Sequence, residues 1–240
     1  GPREILLEYT RCFFGAAVAE SAADGILALE KNWEGPLADH GGVAATLALW
    51  QQLERKAPEL CGNWRWQLCL LRAYYDAYTR QRLIYESELE REANQILGDA
   101  PTRGADAAMD GALAVLQFAV SKPVEPKWRA RIGEVCADLF QSIKLQTSVP
   151  RHKASGYERG AVLDFVDRPL NNRWWLEDEF SRIRKLSAET DKLKALELIR
   201  TWEQPGPGSF YDEVGNIAKS PHVIRGEGIN TDPMMVKNPN

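Results

Sequence analysis

The stretch Asn63-Trp-Arg-Trp-Gln-Leu-Cys-Leu-Leu-Arg-Ala-Tyr-Tyr-Asp-Ala-Tyr-Thr-Arg-Gln-Arg-Leu-Ile-Tyr85-Glu-Ser-Glu-Leu-Glu-Arg-Glu-Ala-Asn-Gln-Ile-Leu97 contains neither Gly nor Pro. Trp64, Leu68, Leu71, Tyr75, Tyr78, Tyr85, Leu89 and Ile96 recur at steps of three and four, with Arg82 and Glu92 filling the gaps, so they share one helical face. A second apolar line, Trp66, Leu70, Tyr74, Ala77 and Ile84, lies on another side. A helix apolar on two sides needs cover from two sides, which predicts a central post within a helical domain. At 1.5 Å per residue it would reach on the order of 50 Å. Its last turns hold Glu86, Glu88, Glu90, Arg91 and Glu92, which read as a solvated helix end. Gly98-Asp99-Ala100-Pro101 closes it.

Working outward, the same periodicity marks further helices on both sides. Pro2 opens the first, whose predicted buried side is Ile5, Leu6, Tyr9, Cys12 and Phe13, ending near Gly15. Helical patterns follow over 16–31 and 43–56, separated by the break Asn32-Trp33-Glu34-Gly35-Pro36. Beyond the post they resume over 105–120, 128–145, 174–186 and 188–202. Residues 146–172 lose periodicity around the basic patch Arg151-His152-Lys153, and a loop of that length is either functional or covered by a neighbour. The fold expected is all-α, a multi-helix bundle of about eight helices around the long helix 63–97. A helical domain over 1–203 is followed by an irregular Gly/Pro-rich tail or linker over 204–240.

Composition narrows the class. With 44% hydrophobic and 27% charged residues in 240, the chain is an ordinary globular sequence. Its net charge of −4 gives no electrostatic footprint for nucleic acid or an anionic membrane. No apolar run approaches the ~20 residues of a spanning helix. Cys12, Cys61, Cys69 and Cys136 show no Cys-x-x-Cys spacing and read mainly as buried thiols, with a disulfide between two of them the open alternative. His40, His152 and His222 are isolated, so no metal site is expected, and no motif calls for a cofactor. The chain starts at a helix without Met and stops in a Pro/Asn-rich stretch, the pattern expected of a segment of something longer.

Among the candidates for chemistry, Trp50, Trp64 and Trp128 lie on apolar stripes, where core packing is the reading. Trp174-Trp175 differs: neighbours on a helix point about 100° apart, so one of the pair is a candidate for contact with a ligand or partner. The irregular run Gly206-Pro-Gly-Ser-Phe210-Tyr211-Asp212-Glu-Val-Gly215, followed by Ser220-Pro-His222-Val-Ile-Arg225, gathers aromatic, acidic and basic groups in a loop of binding-surface composition. Its other reading is a wrapping tail. The acids Glu177-Asp178-Glu179 and Asp212-Glu213 are adjacent in sequence, whereas glycosidase chemistry needs two carboxyls flanking one bond. A solvated face explains the first set better.

The stretches Ile5-Leu-Leu-Glu-Tyr-Thr-Arg-Cys-Phe-Phe-Gly15, Ala28-Leu-Glu-Lys-Asn-Trp-Glu-Gly-Pro36, Arg72-Ala-Tyr-Tyr-Asp-Ala-Tyr78 and Gly206-Pro-Gly-Ser-Phe-Tyr-Asp-Glu-Val-Gly-Asn216 resemble a segment of large bacterial glycoside-hydrolase-like proteins. In these an upstream (β/α)₈ barrel, similar to hexosaminidase-like and O-GlcNAcase-like enzymes, precedes a helical region and β-rich domains. The resemblance implies periplasmic or secreted location and catalytic carboxylates on the barrel strands, so no catalytic residue carries over to this chain. It implies an accessory helical domain whose partners are the adjacent domains of the same polypeptide and, at a cleft, carbohydrate. Trp174, Trp175, Phe210, Tyr211, Asp212, His222 and Arg225 are the candidate substrate-binding residues. The alternatives are a carbohydrate-binding module and a structural oligomerisation domain.

Overall fold

The computed structural model describes residues 1–152, Leu163, Val166 and 170–201, with the backbone alone for Val149, Pro150 and Trp174. The fold is all-α, and among the described residues there is no strand. Helices α1 (Pro2–Phe14), α2 (Ala19–Lys31) and α3 (Gly42–Lys56) lead to the long α4 (Trp64–Gly98) of 35 residues. Then come α5 (Ala100–Arg103), α6 (Ala105–Leu116), α7 (Phe118–Ser121), α8 (Pro126–Ile143) and α9 (Val149–His152). Helices α10 (Arg173–Ile183) and α11 (Glu189–Arg200) end the described chain. Among the described residues no helix is long and apolar enough to cross a membrane. The tail predicted over 204–240 lies outside the described residues.

Within the span read from sequence as one helical domain, the chain forms two compact units. The first takes residues 1–81 with 125–152, Leu163 and Val166; the second takes 82–124 with 170–201. Helix α4 contributes its first half to one and its second half to the other.

In the first unit the core forms around two tryptophans. Trp50 and Trp66 are 0% and 1% exposed and meet edge-to-face at 5.4 Å, and Phe14 closes on Trp66 at 5.1 Å. This T-shaped geometry sets positive ring edges against negative faces. Trp50 Nε1 donates to the Gly25 carbonyl at 3.2 Å, so α2 and α3 approach closely enough that a Cβ on Gly25 would meet the indole at 3.1 Å. Glycine at that position is a packing requirement.

The buried face of α4 in this unit is the second line read from sequence: Trp66, Leu70, Tyr74 and Ala77, joined by Ala73. The first line is less covered: Tyr78 is buried, but Leu68 is 37% exposed and Trp64, Leu71 and Tyr75 are half-buried. Helix α1 departs further from expectation. Ile5, Cys12 and Phe13 are exposed, and the helix buries Thr10 and Phe14 instead. The reason is a close crossing at the α1–α2 corner, where the Thr10 hydroxyl donates to the Ala19 carbonyl at 2.8 Å. A small polar residue fits that crossing; a large apolar one would hold the helices apart.

In the second unit α6 supplies Ala105, Ala108, Met109, Ala112 and Leu116, all fully buried. Leu89, Ala93 and Leu97 of α4 pack in the same cluster, as do Trp175, Leu176 and Phe180 of α10 and Leu196 of α11. The alanine-rich face of α6 lets these helices pack closely. At the edge, Arg184 pairs with Asp110 at 2.5 Å and Lys192 with Asp106 at 2.8 Å.

Candidate functional site

Among the described residues both units contain carboxylates removed from water, one in the first and two in the second, and all three are carried by α4. Asp76, in the first unit, is 0% exposed. It accepts hydrogen bonds from Asn32 Nδ2 at 3.0 Å, Trp33 Nε1 at 3.1 Å and Arg72 Nε at 3.0 Å. Arg72 also lies 4.9 Å over the Trp33 ring. Burial pushes the Asp76 carboxyl above its ordinary range, and the Asn32, Arg72 and Trp33 donors pull it part of the way back. The break after α2 therefore has a physical anchor: Asn32 and Trp33 leave the helix by binding Asp76.

In the second unit Glu86 and Glu90 are 2% and 3% exposed. Their spacing of four places them one turn apart, on a stripe with Arg82. Arg82 donates twice to Glu86 Oε1, from Nε at 2.9 Å and from its terminal nitrogen at 2.7 Å. The other oxygen, Oε2, accepts the Leu170 backbone N–H at 2.8 Å, and Glu90 Oε1 accepts the Asn172 N–H at 2.7 Å. Asn172 is the N-cap residue immediately before α10. Two acids thus hold the entry to the helix carrying Trp174 and Trp175, through charge-assisted bonds of the stronger kind. The solvated reading of this stretch holds for Glu88, Arg91 and Glu92, which are exposed, and fails for Glu86 and Glu90.

The spacing of Glu86 and Glu90 invites a chemical test. Carboxylates one helical turn apart fall near the separation used by retaining glycosidases, about 5–5.5 Å. Yet a catalytic pair must flank a sugar bond, and these two are buried with oxygens engaged by Arg82 and the backbone. Their geometry serves to position chain. The acids of α10 are different again: Asp178 is exposed, Glu177 pairs with Arg173 at 2.8 Å, and Glu179 pairs with Arg182 at 2.5 Å.

Of the residues singled out from sequence, Trp175 is 5% exposed and packs in the core of the second unit. Trp174 lies in the first turn of α10. Phe210, Tyr211, Asp212, His222 and Arg225 lie outside the described residues. Trp33, Trp64 and Trp128 are half-buried, and one face of the Trp64 ring is covered by Arg65 at 4.1 Å. The residues that sequence reasoning missed are Asp76, Glu86 and Glu90. An i, i+4, i+8 Arg–Glu–Glu stripe beside Leu89 and Ala93 was the available signal.

All four cysteines are thiols. Cys12 and Cys61 are exposed, which corrects the buried reading for those two. Burial pushes the Cys69 thiol up to about 12 and the Cys136 thiol up to about 11. Among the described residues no group of three or more His, Cys, Asp or Glu is placed to hold a metal ion. Comparison of the chain with known family models, curated proteins and solved structures finds no match.

Proposed function

We propose that this chain is an all-α accessory domain of a glycoside-hydrolase-like multidomain protein, one that scaffolds neighbouring domains and is not catalytic alone. The observation that carries the reading is the use made of the buried acids. Asp76, Glu86 and Glu90 accept hydrogen bonds that anchor the exit of α2 and the entry to α10. Groups so engaged position chain for others to use. The link to glycoside hydrolases rests on the resemblance of the four sequence stretches. The outer side of α1, with Ile5 69% and Phe13 37% exposed, supports packing against another domain of the same polypeptide.

The test is enzymatic. The purified chain is incubated with a panel of aryl glycosides and expected to give no turnover above buffer. Robust turnover that disappears in Asp212→Asn would overturn the proposal and place chemistry in the C-terminal stretch.

A further inference from the structure

Beside Trp66 the first unit encloses a cavity of about 20 Å³, bounded in part by Glu54, Cys61, Gln67, Arg131 and Asp138. Gln67 is 3% exposed, and the orientation of its amide is fixed because Nε2 donates to the Cys61 carbonyl at 2.7 Å. Oε1 is then committed to the opposite direction, buried and without a donor from the protein. An amide oxygen taken out of water in this way loses its full hydration unless a donor meets it. The Arg131 guanidinium on the cavity wall pairs with both Glu54 and Glu134, which leaves it N–H donors to spare, and none of these meets Gln67 Oε1.

We infer that this cavity is the binding site of one internal water molecule, hydrogen-bonded to Gln67 Oε1. The volume suits it, since a single water needs about 10–15 Å³ by the same measure. So do the partners. The water donates one O–H to Gln67 Oε1 and the other to a carboxylate of the wall, Glu54 or Asp138, and accepts from the Arg131 guanidinium. That gives the two to four polar contacts typical of an internal water. A dehydrated cation is the rival ligand, because amide and carboxylate oxygens are hard donors. Arg131 on the same wall sets a positive charge against a cation, and a shell of six or more oxygens does not fit so small a space. The water would bridge the start of α4, at Gln67, to α8, at Arg131, with Glu54 of α3 or Asp138 of α8 as its third partner.

A high-resolution crystal structure of the whole chain, with a parallel thallium(I) soak, decides the matter. The expected result is an ordered peak at hydrogen-bond distance from Gln67 Oε1 with no anomalous signal after the soak. A dry cavity, a thallium peak, or a rotated amide whose oxygen meets a protein donor would each overturn the inference. In solution, oxygen-17 relaxation dispersion should count one fewer long-lived water in Gln67→Met than in the wild type, while Gln67→Glu keeps the count. An unchanged count in a folded Gln67→Met would also contradict it. Should that variant not fold, the wild-type crystal remains decisive.

Discussion

A carboxylate inside a protein is costly unless its oxygens are met, and Asp76 shows how the balance falls when donors surround it. Burial outweighs the pull of Asn32, Trp33 and Arg72, so the folded-state value lies above the ordinary 3.8. A group raised in this way binds its proton more readily in the folded state. Its contribution to stability is full below the unfolded value and is lost as pH rises through the folded one. Wild type should therefore gain stability relative to Asp76→Asn as pH is lowered from 7 toward 4. Urea unfolding of both proteins at several pH values would show this, and a constant or shrinking difference would refute it. The cysteines give a second residue-scale outcome. Cys12 and Cys61 should react rapidly with a disulfide reagent at pH 8, whereas Cys69 and Cys136 should wait for unfolding, because the thiolate is the nucleophile and burial suppresses it.

For the elements, the central fact is which side of α4 is covered. Periodicity alone makes both apolar lines admissible, and the one with more aromatic residues looks the stronger. Tyrosine and tryptophan, however, are content at a half-wet rim, whereas the line of Trp66, Leu70, Tyr74 and Ala77, joined by Ala73, sets its rings among small side chains. That combination lets α4 approach its neighbours closely. Trp66→Ala should cost about 3–5 kcal/mol of unfolding free energy, as removal of a buried large ring does. Ile5→Ala, on the exposed side of α1, should stay within about 0.5 kcal/mol. Chemical denaturation of the two variants separates them; equal losses would mean that the buried faces have been misassigned. Helix α1 misleads for a related reason: its apolar residues outnumber Thr10, but the tight α1–α2 corner has room only for a small side chain.

At the scale of the molecule, the all-α fold and the extent of most helices were legible from periodicity, Gly/Pro breaks and the unbroken run over 63–97. The clamps were not. Glu86 and Glu90 look like part of a charged, solvated end because glutamate is rarely buried, and their partners Leu170 and Asn172 lie 84 and 82 residues further on. No local pattern announces a bond of that range. Of the binding residues proposed from the sequence, Phe210, Tyr211, Asp212, His222 and Arg225 lie outside the described residues. What the second unit does show is closure of two distant chain segments by buried acids, the feature on which the scaffold reading rests. Removing one partner of such a pair should cost about 3–5 kcal/mol, so Glu86→Ala is expected to loosen the unit severely and Glu90→Gln more gently. The most direct measurement is amide hydrogen exchange at Leu170 and Asn172. Both amides should be strongly protected in the wild type, with protection at Asn172 falling selectively in Glu90→Gln. Fast exchange at both positions in the wild type, or protection at Asn172 unchanged by Glu90→Gln, would contradict the account.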